Sequence, residues 1–121
     1  MSNSTMEVKE PESVITEEID LLTVRVNLSI PGLHVKKSFM PFTKQKPHNA
    51  KVSVKFEERR LEVDVIIEKK NVNYQFKIKK LPGAIIDCAE QYEKDKIILT
   101  LTKKAEESWV ASLDDGLETD I

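Results

Sequence analysis

VSVKFEERRLEVDVIIEKKNVNYQFKI, residues 52–78, decides the fold. Apolar residues fall at every second position in three runs: Val52, Val54 and Phe56; Leu61, Val63, Val65 and Ile67; Tyr74, Phe76 and Ile78. Period two with β-branched and aromatic residues is the mark of half-buried strands. The breaks at Glu57–Arg60 and about Lys69–Val72 are of hairpin length, so the stretch reads as an antiparallel meander. Setting Phe56 against Leu61 brings Val54 to Val63 and Val52 to Val65. In the second hairpin, setting Ile67 against Tyr74 brings Val65 to Phe76 and Val63 to Ile78, with Asp64 opposite Lys77 and Glu62 opposite Lys79. Val54, Val63, Val65 and Phe76 are then core residues. A one-residue slip would turn the whole apolar face to water, so the face is strongly specified.

The same period extends outward. Leu22, Val24, Val26, Leu28 and Ile30 alternate with polar residues until Pro31-Gly32, and Ile97, Leu99 and Leu101 alternate in a last strand that Lys103-Lys104 ends. Ile85, Ile86, Cys88 and Tyr92 suggest a short irregular strand before the polar turn Glu93–Lys96. Residues 31–50 hold three prolines and four lysines and read as a long basic loop, with a short extended piece around Ser38–Phe42. No segment is long enough for a crossover helix, which argues against a parallel α/β fold and for an antiparallel sandwich. The chain divides into a disordered leader, 1–16, a folded domain, 17–113, and an acidic tail, 114–121.

With 121 residues there is room for one domain. No apolar run approaches the roughly 18 residues of a membrane span. The start, MSNSTMEVKEPES, lacks the apolar core of a secretory signal, and the lone Cys88 has no internal disulfide partner; both point to a reducing, cytoplasmic location, with the nucleus as a second compartment. The net charge of −2 conceals a partition. Residues 1–20 carry six acids and one base, 114–121 carry four acids and no base, and 21–113 carry 18 bases and 11 acids. A basic body thus lies between acidic ends, which could fold back onto it.

Catalytic constellations are not visible. Gly32, Gly83 and Gly116 are isolated and form no phosphate loop, and His34 and His48 lack metal-ligand spacing. Cys88 sits in apolar company and reads as an inert thiol. The lysines Lys77, Lys79, Lys80, Lys103 and Lys104 lack interleaved exposed aromatics, so nucleic acid is not the expected partner. Trp109, just past the last strand, either caps the open end of the sandwich or contacts a partner.

Three stretches then carry a resemblance: Phe56–Val63 (FEERRLEV), Leu81–Asp87 (LPGAIID) and Lys96–Glu106 (KIILTLTKKAE) ahead of Trp109. In this order they resemble the CS domain, the module shared by CHORD-containing proteins, suppressor-of-G-two-allele-of-skp co-chaperones, calcyclin-binding protein, nuclear-distribution protein C and the twenty-three-kilodalton co-chaperone. The likeness covers about residues 19–113. It implies an all-β fold, a compact seven-stranded antiparallel β-sandwich of the CS-domain type with disordered acidic ends. It also implies a non-catalytic interaction module without a cofactor, a co-chaperone or adaptor for the heat shock protein 90 chaperone, expected as a monomer. Lys104 and Glu106 match the lysine and acid of the closing Lys-Ala-acid motif through which suppressor-type members contact the chaperone. Lys103 and Trp109 complete the expected partner-binding set. The sequence departs from the family at Ile15–Leu22, which lacks the usual aromatics, and at Ser29, near the place of an aromatic contact. Two alternatives stay open: a small heat-shock-type holdase, and an adaptor of another pathway, such as ubiquitin ligase assembly.

Overall fold

A computed structural model describes residues 6–35, 47–113 and 118–119. Seven antiparallel strands make the sandwich: β2 (Ser13–Asp20), β3 (Thr23–Ser29), β4 (Lys51–Glu57), β5 (Arg60–Ile67), β6 (Val72–Lys80), β7 (Ile85–Glu93) and β8 (Lys96–Lys103). Two short terminal strands, β1 (Glu7–Lys9) and β9 (Glu118–Thr119), are added to it, and one helical turn, α1 (Val110–Leu113), follows β8. One sheet runs β1-β6-β5-β4, with β9 also on β6; the other runs β2-β3-β8-β7.

The alternation does what it predicts. Val24, Val26 and Leu28 of β3 and Ile97, Leu99 and Leu101 of β8 lie fully inside, facing Leu61, Val63, Val65 and Phe76 of the other sheet. Each such side chain contributes about 1.5–3 kcal/mol on burial. Val54 is only partly buried against this core, because β4 is an edge strand with no neighbour on its far flank among the described residues.

The first hairpin has the expected register, Phe56 opposite Leu61 and Val52 opposite Val65. The second differs by two residues: Ile67 lies opposite Val72, Val65 opposite Tyr74 and Val63 opposite Phe76. The turn is the cause. Glu68–Lys70 form one 3-10 turn, and Asn71 closes it in the left-handed region (φ 53°), its N–H donating to Glu68 O at 3.0 Å, so β6 begins at Val72. An even shift preserves the apolar face, but it replaces the anticipated charge pairs. Glu62 now faces Lys77, and Asp64 faces Gln75.

The leader requires a larger correction. Residues 7–9 pair in parallel with β6 and residues 13–16 belong to β2, which pairs along β3. The backbone donors and acceptors of these polar residues find partners on sheet edges, which needs little apolar content of their own. At the other end Glu118 and Thr119 also pair with β6. The extended piece anticipated at Ser38–Phe42 lies outside the described residues, as do residues 1–5, 114–117 and 120–121. The flanks of the 31–50 loop meet in a single bridge, Val35 to Pro47.

Candidate functional site

Period two continues past the apolar part of β8, so position 103 points inward after Ile97, Leu99 and Leu101. The Lys103 side chain has no solvent exposure. Its ammonium donates to the Glu18 carboxylate and to the Glu107 carbonyl, and lies 5.2 Å from the centre of the Trp109 ring. Glu18 arrives from β2, opposite Val24, and so on the core face. Its carboxylate also accepts from the Trp109 backbone N–H (2.7 Å) and from Ser108 Oγ (3.1 Å). These donors, Lys103 foremost, hold the Glu18 carboxyl below its ordinary range.

Trp109 is 2% exposed, and its indole N–H donates to Glu107 Oε1 at 3.2 Å. The buried Gly83 makes room for this. A Cβ there would stand 2.0 Å from Glu107 Oε1 and 2.9 Å from Trp109 Nε1. Backbone bonds fasten the segment on both sides: Lys103 N–H to Leu22 O, Glu107 N–H to Leu21 O and Lys104 N–H to Ala84 O. Glu18, Lys103 and Trp109 therefore form a latch that closes one end of the sandwich. Lys103 and Trp109, expected among the partner-binding residues, are corrected on this point: both are enclosed, the lysine because strand periodicity carries it inward, the ring because it fills the end of the core.

Lys104 and Glu106 face solvent on the latched segment. Lys104 Nζ lies 3.6 Å from Glu58 Oε1 in the β4–β5 turn, with both side chains well exposed. A pair so hydrated contributes little to stability and leaves the groups open to other charges.

A second feature is the side where β4 and β7 approach one another. Neither has a strand partner on its outer flank among the described residues. β4 offers the half-buried Val52 and Val54 and the 40% exposed Phe56; β7 offers the half-buried Cys88 and, at a bulge between Ile85 and Asp87, the 60% exposed Ile86. The β4–β5 turn is held there by Arg59, whose Nε and Nη2 donate to Leu81 O at 3.0 and 2.8 Å, and by Ile85 N–H to Glu58 O at 2.7 Å. The Cys88 thiol is pushed up to about 12, by burial first and by the charges of Glu90 and Asp87 second. Burial also raises Tyr92, whose hydroxyl bonds Glu90. His34 and His48 stack at 6.1 Å and line an open cavity of about 520 Å³ with Asn49, Lys51, Glu68 and Lys69. Among the described residues, no group of three His, Cys, Asp or Glu side chains could hold a metal ion.

The sequence reading missed Glu18, Glu107 and Gly83. The signal for Glu18 was indirect: Lys103 continues the β8 alternation inward, and a base buried there needs an acid partner.

No protein-family model matches the chain, and no curated protein matches it in sequence. Among solved structures it is similar to heat shock protein 16.0 from Schizosaccharomyces pombe, with a TM-score of 0.55 and 18% identity, covering 82% of this chain and 91% of that one. At that identity the likeness is one of fold: a β-sandwich of the kind a small heat shock protein uses.

Proposed function

We propose that the chain is a non-catalytic protein-binding module that takes an extended polypeptide segment along its open β4–β7 side. The observation that carries this is the juxtaposition of two strand edges that no described residue covers with half-exposed Val52, Val54, Phe56 and Ile86 between and beside them. Free edge groups supply sequence-independent hydrogen bonds to an added strand, and alternate apolar positions supply pockets for its side chains. That is the chemistry of holding an unfolded client, and the small heat-shock fold of the similar structure supports it. The Cys88 thiol, held neutral by burial, is unsuited to nucleophilic work.

A second reading is favoured by Lys104 and Glu106, which stand exposed on a rigidly latched segment. It is the co-chaperone or adaptor reading, with the heat shock protein 90 chaperone as partner. Titration of the isotopically labelled full chain separates the two. Amide shifts on β4 and β7 with a heat-unfolded client sustain the first. Shifts around Lys104–Glu106 with the purified chaperone, lost on charge reversal at both residues, sustain the second. No shift with either partner, in any nucleotide state, refutes both. Light scattering adds the assembly size: an adaptor should run as a monomer, a holdase as a large oligomer.

A further inference from the structure

The two acidic ends of the chain seat on the same edge of the same strand. β1 runs parallel to β6 over Val72–Tyr74, and β9 runs antiparallel to it at Ile78 and Lys80. Between them Gln75–Lys77 carry no strand on that edge among the described residues. The strand they share is basic at its far end, with Lys77, Lys79 and Lys80; the segments they come from carry net charges of −5 (1–20) and −4 (114–121). Neither occupant is a good one. β1 has three residues and β9 two. Val8, the central residue of β1, is 59% exposed and lies opposite Asn73, whose Oδ1 is buried without a hydrogen-bond partner among the described residues.

We propose that the outer edge of β6 is a strand-addition site for an extended acidic segment of another protein, and that the chain's own ends are weak occupants which that segment displaces. A single strand spanning Val72–Lys80 would pair the whole edge, including Gln75–Lys77, which no described strand pairs on that side. Acidic side chains alternating along it would face Lys77 and its neighbours, where opposite charges across a pair are stabilising. A second copy of the chain is the poorer occupant, since β6 carries no acid to set against its own lysines. This surface lies across the first sheet from β4, so it is separate from the β4–β7 side.

The test uses the full chain and a fluorescent eight-residue Glu-Val repeat, followed by anisotropy, with a Lys-Val repeat as control. Glu7→Pro, which deletes the Glu7 N–H bond to Asn71 O, with Thr119→Pro should release both ends and tighten binding of the acidic peptide about tenfold, because freeing the edge raises the competent fraction. Lys77→Glu with Lys80→Glu should abolish binding, and this variant decides the matter if the proline variant is unstable. Equal affinity for intact and released chains, equal affinity for both peptides, or dimerisation of the released chain without peptide would overturn the proposal. Peptide-induced shifts on β4 and β7 rather than β6 would also overturn it, while leaving the reading of that other side standing.

Discussion

Truncating Trp109 to Ala distinguishes a latch from a contact residue. The ring is 2% exposed and fills the end of the core beside Lys103 and Gly83. Removing a buried aromatic of this size costs about 3–5 kcal/mol, from lost burial and the cavity left behind. The Lys103 ammonium also loses the ring face it lies against, which adds to the loss. Against a total stability of roughly 5–15 kcal/mol this is a large fraction. At about 4 °C per kcal/mol for a domain of this size, the melting temperature should fall by about 12–20 °C. The assay is urea denaturation followed by far-ultraviolet circular dichroism, since the substitution removes the fluorophore. The midpoint should fall with little change in slope. Val110→Ala, next in the chain but 50% exposed, is the control and should stay within about 0.5 kcal/mol. A loss of less than about 1 kcal/mol for Trp109→Ala would refute the latch and return the ring to a partner.

Three further outcomes follow from the same geometry. Gly83→Ala should cost about 1–3 kcal/mol, because the new Cβ must push aside an indole as well as a flexible carboxylate; an unchanged urea midpoint would show that the segment moves freely. The Glu18 carboxyl, held below its ordinary value of 4.5, contributes stability in full above about pH 4.5 and loses it as pH falls through its lower folded value. The urea midpoint should therefore decline in that acid window, and Glu18→Gln should flatten the decline; an unaltered slope counts against the latch. Cys88, with its thiol pushed up to about 12, should react with iodoacetamide at pH 8 at least about a hundredfold more slowly in the folded chain than in urea, and equal rates would contradict its burial.

What the sequence disclosed, and what it withheld, follow from the same periodicity. Alternation in β3, β5, β6 and β8 identifies the strands and their inner faces, because period two is the only pattern that buries one face of a sheet. It cannot see a shift by two, since an even slip leaves every side chain on its own face. The register of β6 was therefore misjudged until Asn71 in its left-handed conformation fixed where the turn ends. β2 was hidden for another reason. Its inward positions are Val14, Thr16 and Glu18, and its outward ones include Ile15 and Ile19, so polar and apolar residues do not separate along it. β1 and β9 are too short for any period to show. Of the expected partner residues, Lys104 and Glu106 are exposed. The inward turn of Lys103 was legible in principle, as the next step of the β8 pattern, but a lysine at a strand end reads as a solvent residue until its acid partner is seen.

The placement of β3 between β2 and β8 also bears on how the protein is made. Val26 waits for Leu99, roughly seventy residues later, before its second flank is covered, and contacts of such long sequence separation are slow to form. On a ribosome, the hairpins β2–β3 and β4–β5 emerge with their apolar faces bare, and the last large piece of the interior, Trp109, leaves the tunnel after almost everything it must cover. For that interval the nascent chain presents the kind of sticky, unpaired strands that chaperones protect. A protein proposed to shelter such segments is, during its own synthesis, in need of shelter.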